Sequence, residues 1–182
     1  MPVPDMSLLP EWAPQQALWT AWPASAEEWN GDLEAPRCDV AALVRALAPG
    51  NRVRLLAHGT EALASATHML GGLADVVPAT YGDIWVRDTG PLFATSPQGP
   101  RALRFRTNGW GGKFLLPGDE TVGNTIARLA NVPTHQADFI LEGGAIDHDG
   151  AGTILATRQT LLNTNRNGWS QADAEAALCA AL

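Results

Sequence analysis

The sequence has few cysteines, no long apolar run and no cluster of basic residues, and each absence excludes a class of protein. Its two cysteines, Cys38 and Cys179, lie far apart without Cys-x-x-Cys spacing, which argues against a disulfide framework and a zinc knuckle. No stretch of about eighteen apolar residues is present, and Met1–Asp5 do not resemble the start of a signal peptide. We therefore expect a cytoplasmic protein without a membrane-spanning helix.

Acidic residues outnumber basic ones. Twelve lysine and arginine residues against nineteen aspartate and glutamate residues give a formal net charge of −7. Because no basic cluster is present, we expect no nucleic-acid partner, and the negative charge weakly favours a cationic ligand. The 182 residues, 46% of them apolar, are enough to bury a core. We expect residues 1–182 to form one domain.

Apolar spacing and turn residues predict alternating helices and strands. Helices are predicted over residues 38–47, 60–70, 119–129 and 170–182, with Thr60 and Ser170 as N-caps and Gly71 at a C-terminus. Strands are predicted over residues 52–56, 74–77, 83–88 and 139–142. Two hairpins are predicted, with turns at residues 97–100 and 149–152.

The second half of this pattern resembles the first. In both, a helix and a strand precede an acid, a glycine and a hairpin, so that Asp88 corresponds to Glu142 and Gly90 to Gly144 with an offset of 54 residues, since 142 − 88 = 54. An internal period of this size indicates one supersecondary unit used more than once. Repeat-related acids at strand ends would then face one common centre.

A carboxylate close to a flat aromatic ring is suited to a planar cation. In Asp83–Pro91, Trp85 precedes Asp88 by three residues. The acid offers paired charge-assisted hydrogen bonds to a guanidinium group, and the indole offers stacking or a cation–π contact. An acid before Thr-Gly-Pro is, however, more often a turn residue that caps free backbone N–H groups.

Four motifs follow one another along the chain: Trp85–Pro91 (WVRDTGP), Asn108–Gly112 (NGWGG), Leu141–Gly144 (LEGG) and Leu161–Asn167 (LLNTNRN). In this order they resemble the motifs of the agmatine deiminase and bacterial peptidylarginine deiminase family. Glu11-Trp12 and Ala21-Trp22-Pro23 also resemble the start of that family, so the likeness extends over nearly the whole chain.

The resemblance implies the N-terminal part of a pentein fold, a five-bladed α/β propeller of ββαβ units with a central active site. It implies hydrolysis of a guanidinium group to a ureido group and ammonia, by attack of a cysteine thiolate with a histidine as acid and base. The products would be N-carbamoylputrescine from agmatine, in putrescine biosynthesis, or citrulline from peptidyl-arginine.

The motifs also assign roles to individual residues. By resemblance, Asp88 would bind the guanidinium nitrogens and Trp85 would line the pocket beside them, while Glu142 would hold the histidine or the guanidinium. Asp83 has two interpretations, a pocket residue or a solvated acid at the start of a strand. Trp110 either belongs to a flexible loop at the pocket edge or packs in a glycine turn.

The family's histidine and cysteine motifs are not found in these residues. None of the four histidines (His58, His68, His135 and His148) stands in a Gly-His-x-Asp motif, and each is expected at the surface or a strand end. His148 lies between two aspartates, but adjacent residues in a hairpin turn rarely converge on one ion, so no metal and no cofactor are predicted. Cys38 is expected at a helix start and Cys179 is expected to pack.

Three hypotheses follow from these patterns. The first is a shortened deiminase that holds the substrate acids but is inactive alone. The second is a non-catalytic guanidinium-binding or regulatory fragment that associates with a partner, or with itself, through exposed strand edges. The third is an unrelated α/β domain, in which Asp88 and Glu142 would lie far apart.

Asn163–Asn167 is expected to be a structural loop whose side chains satisfy backbone groups.

Overall fold

The protein is a mixed α/β structure, described for residues 6–182 by a computed structural model, with Met1–Asp5 outside the described residues. Its strands are β1 Ser7–Leu8, β2 Leu18–Ala21, β3 Val53–Ala57, β4 Asp75–Pro78, β5 Leu92–Thr95, β6 Arg101–Arg106, β7 Thr134–Ile140, β8 Ile146–His148 and β9 Ile154–Ala156. Its helices are α1 Glu34–Leu47, α2 Gly59–Leu70, α3 Val86–Thr89, α4 Gly109–Gly112, α5 Asp119–Ala130, α6 Arg158–Leu161 and α7 Gln171–Ala181. Short 3-10 turns span Ala26–Trp29 and Gly143–Ala145.

The chain divides into two compact units, and the first consists of residues 14–86 and 116–122. Its parallel sheet has the order β2-β3-β4, and α1 and α2 supply the crossovers that parallel pairing requires. The middle strand β3 is apolar at four of its five positions, as expected for a strand covered on both faces. The core around it includes Trp22, Val40, Val44, Val53, Leu55, Ala66 and Leu70.

The second unit consists of residues 6–13, 87–115 and 123–182 of the described chain. Its main sheet has the order β1-β5-β6-β7, in which β5 and β6 form an antiparallel hairpin and β6 pairs in parallel with β7. A separate two-stranded antiparallel sheet contains β8 and β9. The core includes Leu8, Leu92, Leu103, Leu141, Ile146, Leu161 and Leu178.

The order of elements matches the ββαβ unit in one place. Along the chain, β5, β6, α5 and β7 occur in this order, with only the single turn α4 between β6 and α5, and β7 pairs with β6. The order helix, strand, helical turn and hairpin also occurs twice, first from α2 to β6 and then from α5 to β9. The sheets are open and separate, and the repeat and the single-domain organisation stay predictions.

Most of the predicted elements are present with small shifts of their ends. The helices α2, α5 and α7 and both hairpins are confirmed, as are the left-handed C-cap at Gly71 and the N-cap at Ser170. In α7, Ser170 and Asp173 form a full capping box. Thr60 was wrong as an N-cap, because α2 begins at Gly59 and His58 takes the capping position.

Three further predictions were wrong. The helix α1 begins at Glu34, one turn before Cys38, because Pro36 is tolerated in a first helical turn. Cys38 therefore lies inside the helix, and Cys179 is exposed and does not pack. The predicted strand over 83–88 is absent, since Val86–Thr89 forms the helical turn α3. Three consecutive apolar residues, Ile84 to Val86, are too few to distinguish a strand from a turn.

A cavity of about 550 Å³ lies in the second unit, between the β8–β9 sheet and α7. Apolar side chains such as Ile154, Leu161 and Leu178 contribute to its lining, and none of the predicted site residues does. Within residues 6–182, no helix is both long and apolar enough to cross a bilayer.

Candidate functional site

Asp88 lies in α3 and is held by two hydrogen bonds within the second unit. Its Oδ1 accepts the backbone N–H of Gly144 at 2.9 Å, and its Oδ2 accepts the indole Nε1–H of Trp110 at 2.9 Å. The carboxylate is half-buried. An ionised carboxylate offers about four acceptor positions, so these two donors orient Asp88 and leave it capacity for a further donor.

Trp110 reaches Asp88 from an unusual backbone conformation. It has φ +55° and is followed by Gly111 with φ +78°, so α4 contains residues in the left-handed region. For a residue with a side chain this region costs roughly 1–2 kcal/mol. The Asn108 side chain stabilises the turn by accepting the N–H of Gly111 at 2.9 Å. The Trp110 ring also packs edge-on against Phe114 at 6.2 Å between centroids.

Glu142 is buried against a guanidinium group of the chain itself. Only 4% of Glu142 is exposed, and the Nε–H of Arg166 donates to its Oε2 at 2.9 Å and to its Oε1 at 3.2 Å. The Arg166 side chain is 11% exposed. A buried carboxylate requires such a partner, because an unpaired charge at this depth is strongly unfavourable.

The loop Asn163–Asn167 connects this ion pair to the Trp110 turn. Asn165 accepts a hydrogen bond from the Asn108 side chain at 2.8 Å on its carbonyl oxygen, and its own side-chain amide donates to the Gly111 carbonyl at 3.4 Å. Asn167 pairs with both backbone groups of Ile140, at 2.9 and 2.8 Å. The prediction that this loop satisfies backbone groups is confirmed.

The two glycines of the LEGG motif allow α3 to approach closely. A Cβ atom on Gly143 would collide with the carbonyl oxygen of Arg87, and one on Gly144 would collide with Oδ1 of Asp88. Any side chain at these positions would displace the backbone or the acid. The glycines therefore bring the segment after Glu142 into contact with the residues around Asp88.

Asp83 and Trp85 belong to the first unit. The Asp83 carboxylate accepts the N–H of Ile84 at 2.7 Å, and Trp85 is 54% exposed. The segment before Trp85 is anchored by Asp119, whose Oδ1 accepts the N–H groups of Gly82 at 2.9 Å and Asp83 at 3.3 Å. Burial raises the pKa of Asp119.

Tyr81 gives the same segment a second anchor. Its hydroxyl donates to the carbonyl oxygen of Trp22 at 2.6 Å, and burial raises the pKa of Tyr81 to about 12. Gly118 lies so close that a Cβ there would come within 2.8 Å of the Tyr81 backbone. The chain leading to Trp85 is thus held by buried contacts on successive residues.

Comparison with known proteins identifies the family. Residues 7–182 match the Porphyromonas-type peptidyl-arginine deiminase family. The chain belongs to this family. Agmatine deiminase of Stutzerimonas stutzeri is 33% identical over 164 residues, which are 86% of this chain and 45% of that protein.

Solved structures of deiminases have the same fold. Agmatine deiminase of Enterococcus faecalis superposes with a TM-score of 0.91 at 26% identity, over 97% of this chain and 50% of that one. An agmatine deiminase of C. jejuni solved with its substrate bound has a TM-score of 0.86 at 27% identity, over 95% of this chain and 52% of that one. The chain spans about half the length of these relatives.

The structure brings together three of the five predicted site residues of this deiminase-family chain. Asp88 contacts Trp110 directly and contacts Gly144, which is two residues, or at most about 7 Å of chain, from Glu142. The alternative in which Asp88 and Glu142 lie far apart is therefore wrong. Trp85 and Asp83 lie in the other unit, a few residues before Asp88 in the chain.

Two residues that hold the predicted site segments in place were missed from the sequence. Arg166 was included only in a structural loop, although the basic residue of an otherwise uncharged Asn-rich motif is the natural partner for a buried acid. Asp119 was treated only as the first residue of a helix, where an acid is common. Its two backbone donors lie 36 and 37 residues earlier in the chain, so no local signal indicates them.

The histidines of this deiminase-family chain lie outside the described hydrogen-bond network around Asp88 and Glu142. His58 and His68 are exposed and His148 ends β8, as predicted. Asp149 beside it accepts the N–H groups of Ala151 and Thr153 in the hairpin turn. Across residues 6–182, no group of three or more His, Cys, Asp or Glu side chains is placed to hold a metal ion.

Proposed function

We propose that these residues form the guanidinium-binding part of a deiminase that hydrolyses agmatine, or an arginine side chain, to the ureido compound and ammonia. The observation that carries the proposal is Asp88. Its carboxylate is oriented by two donors at 2.9 Å and keeps acceptor capacity for a cation. Membership of the deiminase family and the agmatine deiminases among its relatives support this assignment.

The substrate guanidinium would donate paired hydrogen bonds to Asp88. Such charge-assisted bonds are short and strong, and partial burial strengthens them further. Trp85, three residues earlier, would supply an aromatic face for the planar cation. Asp83 would contribute negative charge near the start of that segment.

The remaining catalytic groups would come from residues other than these 182. We propose that the complete active site lies at the centre of a five-bladed propeller of ββαβ units in the cytoplasm, and that the thiolate and the histidine are supplied there. These 182 residues alone would then bind a guanidinium ligand without hydrolysing it.

A titration with agmatine tests this proposal. We expect chemical-shift changes at the Asp88 amide and the Trp85 indole of the purified chain, and no changes with putrescine, which has the same chain length in carbons but lacks the guanidinium. Asp88→Asn should abolish the response. Ammonia release should stay at background, and enzyme-like turnover by this chain would contradict the proposed division of the active site.

A non-catalytic fragment that associates with a partner is the second candidate. The observation in its favour is the cavity between the β8–β9 sheet and α7, whose lining includes apolar side chains such as Ile154, Leu161 and Leu178 beside polar ones such as Gln171 and Glu175. This candidate predicts that the purified chain self-associates or recruits a partner through that face. Size-exclusion chromatography separates the two candidates, because a well-behaved monomer that binds agmatine needs no partner for folding or recognition.

A further inference from the structure

The two predicted acids of the second unit belong to one closed ring of contacts. Asp88 accepts hydrogen bonds from Trp110 and from Gly144, and Glu142 accepts from Arg166. Asn165 then links Arg166 back to the Trp110 turn, through its contacts with Asn108 and Gly111. Three short covalent steps close the ring, from Glu142 to Gly144, from Asn165 to Arg166 and from Gly111 to Trp110.

The position of Trp110 in this ring indicates a role different from ligand binding. Its indole N–H is its only hydrogen-bond donor on the side chain, and Asp88 already accepts it at 2.9 Å. The backbone of Trp110 is also strained, with a φ of +55°. Trp110 therefore orients the acid that the proposed substrate would contact.

Arg166 has the same relationship to Glu142. Its guanidinium neutralises the carboxylate, and its Nη1 donates to Oδ1 of Asn165 at 3.1 Å. The side chain is thus fixed at both its Nε and its Nη1. A guanidinium of the chain already occupies Glu142, which leaves Asp88 as the acid better placed to receive a guanidinium from outside.

We propose that the loop Asn163–Asn167 is a positioning element that couples the orientation of Asp88 to the Glu142–Arg166 ion pair. Within this arrangement Arg166 positions Glu142, and Trp110, which lies outside the loop, positions Asp88. Asn165 joins the two. The inference rests on the proposed function, because it assigns substrate contact to Asp88 and a supporting role to Glu142. The coupling itself is a property of the unliganded chain.

Two resonances report on the coupling in ¹H–¹⁵N spectra without ligand. The indole N–H of Trp110 is assigned by its loss in Trp110→Phe, and the Nε–H of Arg166 by its loss in Arg166→Met. We expect Arg166→Met to shift the Trp110 indole resonance and to speed its exchange with water roughly five-fold, which is the effect of losing one net hydrogen bond. Trp110→Phe should likewise shift the Arg166 resonance.

Asn165→Ala keeps the test decisive if Arg166→Met does not fold, because it leaves no buried charge. It removes the side-chain contacts of Asn165 with Gly111 and with Arg166, while the hydrogen bond from Asn108 to its backbone carbonyl remains. It should shift both resonances. Arg106→Met is the matched control, since Arg106 forms an exposed ion pair with Asp138 at 3.2 Å in the same unit. It should leave the Trp110 resonance in place. A folded Asn165→Ala protein with both resonances unmoved overturns the proposal.

Agmatine binding separates this inference from the proposed function. If the wild-type chain binds agmatine, Asn165→Ala should weaken binding roughly five-fold through the lost orientation of Asp88. Unchanged binding by Asn165→Ala contradicts the positioning role even if the resonances move. If the wild-type chain does not bind agmatine while the resonances are coupled, the proposed function fails and the coupled loop stands.

Discussion

The Nε–H of Arg166 is shared between the two carboxylate oxygens of Glu142, at 2.9 and 3.2 Å, with both side chains almost completely buried. The pair joins the loop after α6 to the segment that follows β7. Sequence spacing did not reveal this contact. Because both charges are buried, removing one of them should destabilise the folded chain.

Arg166→Met should destabilise the chain by about 3–5 kcal/mol, because it leaves the Glu142 charge buried without a partner. Urea unfolding at neutral pH measures the loss. Glu142→Gln combined with Arg166→Met should recover much of it, since no uncompensated charge then remains. Equal stability of the single and double variants would show that the charge of Glu142 is not the cause.

Trp110→Phe should cost about 1–3 kcal/mol, because the variant loses the hydrogen bond to Asp88 and some buried ring surface. A double-mutant cycle with Asp88→Ala, which leaves no acceptor for the indole N–H, isolates the hydrogen bond, and we expect a coupling energy of about 1 kcal/mol. Trp12→Phe serves as the control, since Trp12 is 78% exposed and its replacement should change stability little. Additive effects of the two site substitutions would contradict the contact.

Gly144→Ala should destabilise the chain by about 1–3 kcal/mol, as expected when an added methyl group must displace its neighbours. The new Cβ would collide with Oδ1 of Asp88. Gly50→Ala is the control, because nothing lies within 4 Å of a Cβ at Gly50. Thermal unfolding of the two variants compares them directly, and similar melting temperatures would count against the close approach.

Asp119 predicts a pH dependence of stability. Burial raises its pKa in the folded state above the usual 3.8, so the folded chain binds this proton more tightly than the unfolded chain. The stabilisation associated with the proton is fully present below pH 3.8 and is lost as the pH rises through the raised pKa. Asp119→Asn keeps an acceptor for Gly82 and Asp83, and its stability should not show this loss.

Unfolding curves of wild type and Asp119→Asn at a series of pH values measure that difference. Glu61→Gln provides a control of opposite sign, because the hydrogen bond from Arg37 lowers the pKa of Glu61 below 4.5. That contribution is present above pH 4.5 and is lost as the pH falls, and it should be small since the Glu61 side chain is 72% exposed. A pH-independent difference between wild type and Asp119→Asn would refute the raised pKa.

Local signals allowed much of the fold to be predicted. The hairpin turns, the Gly71 C-cap and the Ser170 N-cap depend on residues adjacent in sequence, and all were confirmed. The turn at Val86–Thr89 was predicted as a strand because its conformation depends on distant contacts, namely Gly144 and Trp110 against Asp88. Apolar alternation alone contains no information about those partners.

The acids of the candidate site could be predicted from the sequence. The residues that hold these acids in place were harder to predict. The carboxylate of Asp88 near Trp85 suggested a cation site, which stays a prediction, and the structure shows Asp88 held by Trp110 and Gly144. The partners that hold each acid are 22 residues away for Trp110 and 24 for Arg166. Both separations are far longer than the few residues over which one helix or strand brings side chains together, so only the folded chain reveals them.

The short β8–β9 sheet has a consequence for the order in which this chain opens. Each strand has three residues, and a hairpin of two strands has little stability by itself. Amide hydrogens of residues 146–156 should therefore exchange with solvent long before those of β3, which lies between two strands in the first unit. Glu142 and Gly144 immediately precede β8. The earliest opening of the chain would therefore begin next to the carboxylates of Glu142 and Asp88, which Arg166, Gly144 and Trp110 hold by hydrogen bonds.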